Sequence, residues 1–497
     1  MTRVIQRRAT ALFATVVLCT LAFGQITLTD HTYGSPNGPS DVFVADLNGD
    51  GKPDIVTTQD NSNMVTVFLN HGDGTFTDQG SAQYLAGQNP LNVVVADING
   101  DGIPDIVTAG GNCFQGGPSV VNLLLGNGDG TFQAPQETQL GSEECVDSLA
   151  LTKVNSTKWD LAVGTELNTI RLLMNNGAGP FTLGASIPSP GLNVFGVSSA
   201  DYNRDGHFDL AFISFTPDGQ QSVNLFLNDG AGHYTHKELF TISAVTGSAT
   251  GFNFSAATTV DVNGDGIADL LIPFAPAANQ NNPPIQGGVV VAINNGTGGF
   301  TTTTLRINSR FFGVAGKAAE GDLNGDGLHD IVLGAQSDAT LGQDAFVVFR
   351  ATSKTTWASA QYFNAGTNVG PSGVAMGAFN GHEGFAGSTV FGNTLHVFNP
   401  GGGTAGCSAP TSAGVHVCSP ANGATVTSPV AISAAANGGT KPITAMKAYI
   451  DGKQVAFTSS GSLSASVATA AGTHVLNVNA WNSAGTVFTS QTTFTVH

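Results

Sequence analysis

Five stretches of the chain share one nine-residue spacing of oxygen-bearing side chains: Asp, Asn and Asp at positions one, three and five, Gly at six and Asp at nine. They hold Asp46, Asn48, Asp50 and Asp54; Asp97, Asn99, Asp101 and Asp105; Asp201, Asn203, Asp205 and Asp209; Asp261, Asn263, Asp265 and Asp269; and Asp322, Asn324, Asp326 and Asp330. Three carboxylates and an amide can converge on one point, joined by the main-chain carbonyl of the seventh residue, which is Lys52, Ile103, His207, Ile267 or Leu328. Calcium takes six to eight such oxygens at about 2.3–2.6 Å, whereas magnesium keeps more of its water. Zinc or copper would want His or Cys, which do not recur in the pattern. The expectation is about five bound Ca²⁺ per chain, each offsetting the repulsion of crowded carboxylates and so bracing its loop.

Each motif lies between short alternating or apolar segments, such as Val42-Phe43-Val44-Ala45 before it and Ile55-Val56 after it. The acidic loop therefore joins two β-strands. The first six positions match an EF-hand loop, but position twelve lacks Glu (Thr57, Thr108, Phe212, Ile272 or Leu333) and the flanks are strands. Two eroded copies complete the series: one starts at Thr152 and ends at Asp160, the other has Ala378, Asn380, His382 and Ala386 at the four positions. A second strand–turn–strand recurs in each period, as in Thr66 to Phe76 around His71-Gly72-Asp73-Gly74, and Gly and Asn there accept the positive φ of hairpin turns. Four strands per unit and a period near 50 residues predict propeller blades, seven of them. The seventh unit runs out after Thr394–Phe398, and Ile26–Tyr33 is a strand without a blade, so the amino-terminal strand is expected to complete blade seven.

Charge and composition agree with an all-β protein. Only 10% of the 497 residues are charged and 65 are Gly, which leaves too few Lys, Glu and Arg to clothe helices. With 17 basic against 35 acidic residues and a formal charge of −18, nucleic acid is excluded as a partner. Residues 1–24 have the form of a secretory signal: Arg3, Arg7 and Arg8, then an apolar run from Ala11 to Phe23 that is too short to span a bilayer. The expected location is secreted or at the cell surface after bacterial export, as a monomer. Cys113, Cys145, Cys407 and Cys418 permit two disulfides in three connectivities; proximity favours Cys113 with Cys145 and Cys407 with Cys418.

The loop followed by a Gly-Asp-Gly-Thr-Phe hairpin resembles the FG-GAP and VCBS repeats, the units of the integrin α-subunit propeller and of many exported bacterial proteins. The resemblance covers roughly residues 26 to 400. It implies a seven-bladed β-propeller with calcium in the intact loops; in the fourth unit Arg204 stands where the others have Gly, a cation beside the site. Beyond the propeller (25–400) and a Gly/Ser-rich linker (401–412), residues 413–497 alternate in short strands and look like a small bacterial Ig-like β-sandwich, with Leu476, Val478 and Ala480 facing its core. GxSxG, HExxH and a phosphate-binding Gly loop are absent from the sequence. Isolated His207, His329 and His382 show no recurring partner. The functional expectation is a binding or adhesion module for a protein or glycan, with no catalytic residue assigned. The alternatives are a polysaccharide lyase or hydrolase using the central cleft, or a purely structural envelope protein.

Overall fold

The computed structural model describes residues 26, 28–35, 38–79, 84–111, 119–141, 146–155, 157–177, 179–247, 252–276, 286–308, 311–337, 343–400, 410, 412–426, 428, 430–458, 461–467 and 469–497. The signal-like segment, most of the linker, Cys113, Cys145 and Cys407 lie outside them. Cys418 is disulfide-bonded.

Among the described residues from 28 to 400, seven antiparallel sheets are built on a four-strand path, with a small two-stranded sheet at Ala351–Trp357. The first runs Pro39–Ala45, Asp54–Gln59, Met64–Asn70 and Phe76–Asp78, and the next five repeat that up-and-down order. The strands that start each sheet pack side by side in chain order, and the seventh packs against the first, so the sheets form a ring around an axis. Second and third strands are covered on both faces, which is why Asp54–Gln59 and Ser119–Leu124 are buried at every position. One apolar cluster fills each junction between neighbouring sheets, for example Val42, Ile55, Phe68 and Phe76 against Phe379, Ala386, Leu395 and Val397.

The ring closes as the sequence predicts. Leu28–Gly34 pairs antiparallel with Thr394–Pro400, from Leu28 opposite Pro400 to Gly34 opposite Thr394, and forms the outer edge of the seventh sheet. Tyr33 then crosses to the first sheet, edge-on to Phe68 and Phe76 at 6.1 and 5.8 Å, and its hydroxyl oxygen accepts the Phe76 N–H at 3.1 Å.

The eroded units differ from the spacing inferred for them. Thr152 pairs with Asp160 as Ala45 pairs with Asp54, so Thr152 ends a strand and the third loop is one residue shorter than the intact ones. In the seventh unit Gly377 pairs with Gly384; Gly384, not Ala386, therefore takes the place of the distal Asp.

Residues 414–496 form a two-sheet sandwich of three and five strands. Leu476, Val478 and Ala480 are fully buried in its core with Ile432, Met446 and Phe494. Trp481 is half-buried under Lys447 of the adjacent strand, whose Nζ lies 5.7 Å from the ring centroid. No helix among the described residues is long and apolar enough to cross a membrane.

Candidate metal centre

All five intact loops fold in the same way. The first Asp turns back over the loop and takes its amides: Asp46 Oδ1 accepts the N–H of Gly49 at 2.8 Å and of Asp50 at 3.1 Å, and Oδ2 that of Gly51 at 2.8 Å. Asp97, Asp201, Asp261 and Asp322 accept the equivalent fifth and sixth amides at 2.7 to 3.1 Å. The Oδ1 atoms of Asn48, Asn99, Asn203 and Asn324 accept the fifth amide as well. The fifth Asp in turn accepts the seventh amide, that of Lys52, Ile103, His207, Ile267 or Leu328. This winding requires positive φ at positions four and six, supplied by Gly49 (72°) and Gly51 (81°) in the first loop. Arg204 occupies the fourth position of its loop at φ 61°, a left-handed conformation a non-glycine adopts at a cost. Its side chain extends towards Gly296 on the next blade's hairpin instead of folding over the loop.

The ninth residue does something the spacing alone did not indicate. Asp54 is fully buried; its Oδ2 accepts the Leu47 N–H at 2.9 Å and its Oδ1 the Asn70 N–H at 2.8 Å. It thereby clips the acidic loop to the end of the third strand. Asp105, Asp209 and Asp330 make the same two-ended clip. So does Asp160, with Val154 and Asn175, although its loop has lost the other acids.

Burial pushes these distal carboxyls up, to about 6 for Asp54 and Asp209 and about 7 for Asp269 and Asp330. The accepted amides oppose that shift, and the carboxylates at positions one and five of the same loop add to it. Asp105 moves the same way for the same leading reason.

No three Asp, Glu, His or Cys side chains among the described residues converge as a preformed ligand cluster; the loop's own amides bind the carboxylates instead. The donor set nonetheless fits a hard cation. Each loop carries a half-buried carboxylate at position one, an exposed one at five, an amide oxygen at three and a buried carboxylate of raised affinity for positive charge at nine. In the loop of the fifth unit the buried Asn263 Oδ1 has no hydrogen-bond partner, and it stands at ligand position three, beside the buried Asp269 at position nine. The residues that would hold the ion are those at positions one, three, five and nine, with the main-chain oxygen at seven.

Sequence reasoning missed the asparagine that ends the third strand. Asn70 Nδ2 donates to Phe379 O of the preceding blade at 3.0 Å and to Pro53 O at 2.9 Å. Asn175, Asn228 and Asn294 likewise reach back to Ile98 O, Val154 O and Tyr202 O. Their recurrence just before each Gly-rich turn was the available signal. His329 does have a partner: its Nδ1 lies 2.5 Å from Glu320 Oε2 and 2.9 Å from Asp261 O.

A family described as FG-GAP-like repeat matches residues 46–108 and 155–212, and one described as Bacterial Ig domain matches 414–478. The chain carries FG-GAP repeats followed by a bacterial Ig domain. The FG-GAP region is similar to integrin alpha-7 of Mus musculus, 27% identical over 238 residues covering 46% of this chain and 19% of that protein. It is also similar to integrin alpha-PS3 of Drosophila melanogaster, 29% identical over 178 residues covering 34% and 16%. The chain thus spans less than a fifth of the length of either integrin. Among solved structures, the extracellular domain of a hybrid two-component system from B. thetaiotaomicron aligns with 95% of this chain and 57% of its own at a TM-score of 0.45 and 12% identity.

Proposed function

We propose that this protein is an exported, calcium-braced propeller acting as a binding or adhesion module for a protein or glycan, with the Ig domain as spacer or second contact. The observation that carries the calcium part is the fivefold identity of the loop. Each carries three carboxylates at the same spacing, the ninth is buried, and burial and like charge together raise its affinity for a positive partner. A bound cation would supply the charge that the amides only partly provide. The binding part rests on the integrin-like FG-GAP repeats, and export on the form of residues 1–24.

The test is twofold. Elemental analysis of the dialysed full chain should give about five calcium ions, and chelation should lower the melting temperature, with calcium restoring it better than magnesium. The chain should also be retained on immobilised protein and glycan arrays in calcium and lose that retention in chelator. One ion or none would remove calcium from the proposal; absence of retention in both conditions would remove the binding role.

A further inference from the structure

The strands that start the seven sheets leave an axial channel. At the end where those strands begin, away from the acidic loops, it opens as a cavity of about 360 Å³ whose wall takes residues from every sheet. Two charges stand in that mouth. Lys317 of the sixth blade donates from Nζ to Asp41 Oδ2 of the first blade at 2.6 Å. The intervening seventh blade presents only Gly373 there, packed on the Asp41 and Val42 backbone. Asp41 is fixed from other sides too, accepting the N–H of Val42 at 3.0 Å and of Val93 at 3.1 Å, the latter on the second blade. Its side chain is 5% exposed, against 31% for Lys317.

A desolvated carboxylate so thoroughly bound is a holder. The ammonium it holds has three N–H donors, and Asp41 takes one. The remaining donor capacity faces a cavity where Asn193 presents an exposed amide and Phe195 half-buried apolar surface. One carboxylate paired with one ammonium gives the mouth no net charge with which to attract an ion. A neutral ligand with a hydroxyl-bearing edge and an apolar C–H face matches both halves of this lining. The volume lies at the small end of ligand cavities, which run about 300–1,000 Å³, and suits one or two sugar rings.

We propose that the channel mouth is a saccharide-binding site, in which Lys317, positioned by Asp41, donates to ring hydroxyls beside the Asn193 amide while Phe195 meets the C–H face. This rests on the binding-module reading but does not depend on calcium contacting the sugar. The calcium-loaded full chain is titrated by calorimetry and saturation-transfer NMR with glucose, galactose, mannose, N-acetylglucosamine, cellobiose and lactose. At least one should bind saturably at a single site, and Lys317→Met should weaken it about tenfold or more, the loss of a charged hydrogen bond. Because Lys317→Met leaves Asp41 buried without its cation, Leu91→Trp is made alongside. Leu91 is 41% exposed at the rim, so the indole should obstruct the mouth and weaken binding similarly at an unchanged melting temperature. Sugar binding undiminished in both variants would overturn the channel site and leave the binding role standing. Failure of every sugar to bind would also overturn the site, and the binding role would fall with it only if array retention is absent too.

Discussion

At the scale of single residues, the distal Asp and the fifth Asp of a loop have separate duties. Asp160 keeps both backbone hydrogen bonds of the clip in a loop without its other carboxylates, so the clip has value without metal. Hydrogen bonds to a charged acceptor contribute about 1.5–3 kcal/mol each. Asp160→Asn should therefore destabilise the protein by roughly 2–3 kcal/mol in calcium and in chelator alike. Asp50→Asn should cost stability in calcium and little in chelator, since Asp50 is exposed and its backbone hydrogen bond is local to the loop. Denaturant unfolding under both conditions checks this; equal behaviour of the two variants would refute the division of labour. A second residue-scale expectation concerns pH. His474 Nδ1 lies 2.6 Å from Asp451 Oδ2 and its Nε2 2.8 Å from Ala470 O, and Asp451 above all holds the imidazolium, raising its affinity for the proton. The same partner holds the Asp451 carboxyl below its usual range. Raised in the folded state, His474 stabilises the Ig domain below about pH 6.5, and that contribution is lost as pH rises through its folded value. Lowered, Asp451 stabilises above about pH 4 and loses that as pH falls through its own folded value. An NMR titration should place the His474 midpoint above about 6.5, and Asp451→Asn should bring it back down; a wild-type midpoint at or below that value would contradict the pairing.

At the scale of elements, the blade was legible because two signals shared one period: carboxylates spaced for a loop and apolar runs spaced for strands. The lengths of the eroded loops were not. Once the acids at positions one to five are lost, nothing in the residues marks a deletion, and only the pairing of Thr152 with Asp160 and of Gly377 with Gly384 reveals it. The inter-blade asparagines were hidden for a different reason. A lone Asn before a Gly-rich turn suits the turn by itself, and its reach to the preceding blade is a tertiary fact. The seam strand was legible because both ends of the ring were visibly incomplete. It has a measurable strength: Tyr33 spans from the seventh sheet to the first through Phe68, Phe76 and one hydrogen bond. Tyr33→Ala should cost about 2–4 kcal/mol, in the range of large-to-small aromatic truncations, and deletion of residues 26–34 should lower the melting temperature further. An unchanged melt in the deletion would mean the strand is ornamental.

At the scale of the whole molecule, the acidity of the chain is concentrated. Fifteen of its 35 acidic residues sit in the five intact loops, so five bound divalent ions would cancel ten of the negative charges and leave a milder surface for partners. The junction clusters and the distal clips do not need those ions, so metal-free protein should remain a folded ring with a lower melting temperature rather than unfold outright. Each site held at a hundredfold excess over its Kd adds about 2.7 kcal/mol; calorimetric melts across a calcium series should rise with concentration, and a flat series would argue against the ions. The pairing of Leu28–Gly34 with Thr394–Pro400 carries a last consequence, for the order of assembly. A chain that emerges from its amino terminus makes that strand before the rest of the ring and its partner after it. Joining ends so far apart in an unfolded chain would cost roughly 5 kcal/mol of loop-closure entropy, but six intervening blades, each stitched largely from local contacts, bring the ends together before they meet. The seam is thus expected to close the ring after its other blades have formed, and until it does the nascent ring has an open strand edge at blade seven, available to any other unpaired strand nearby.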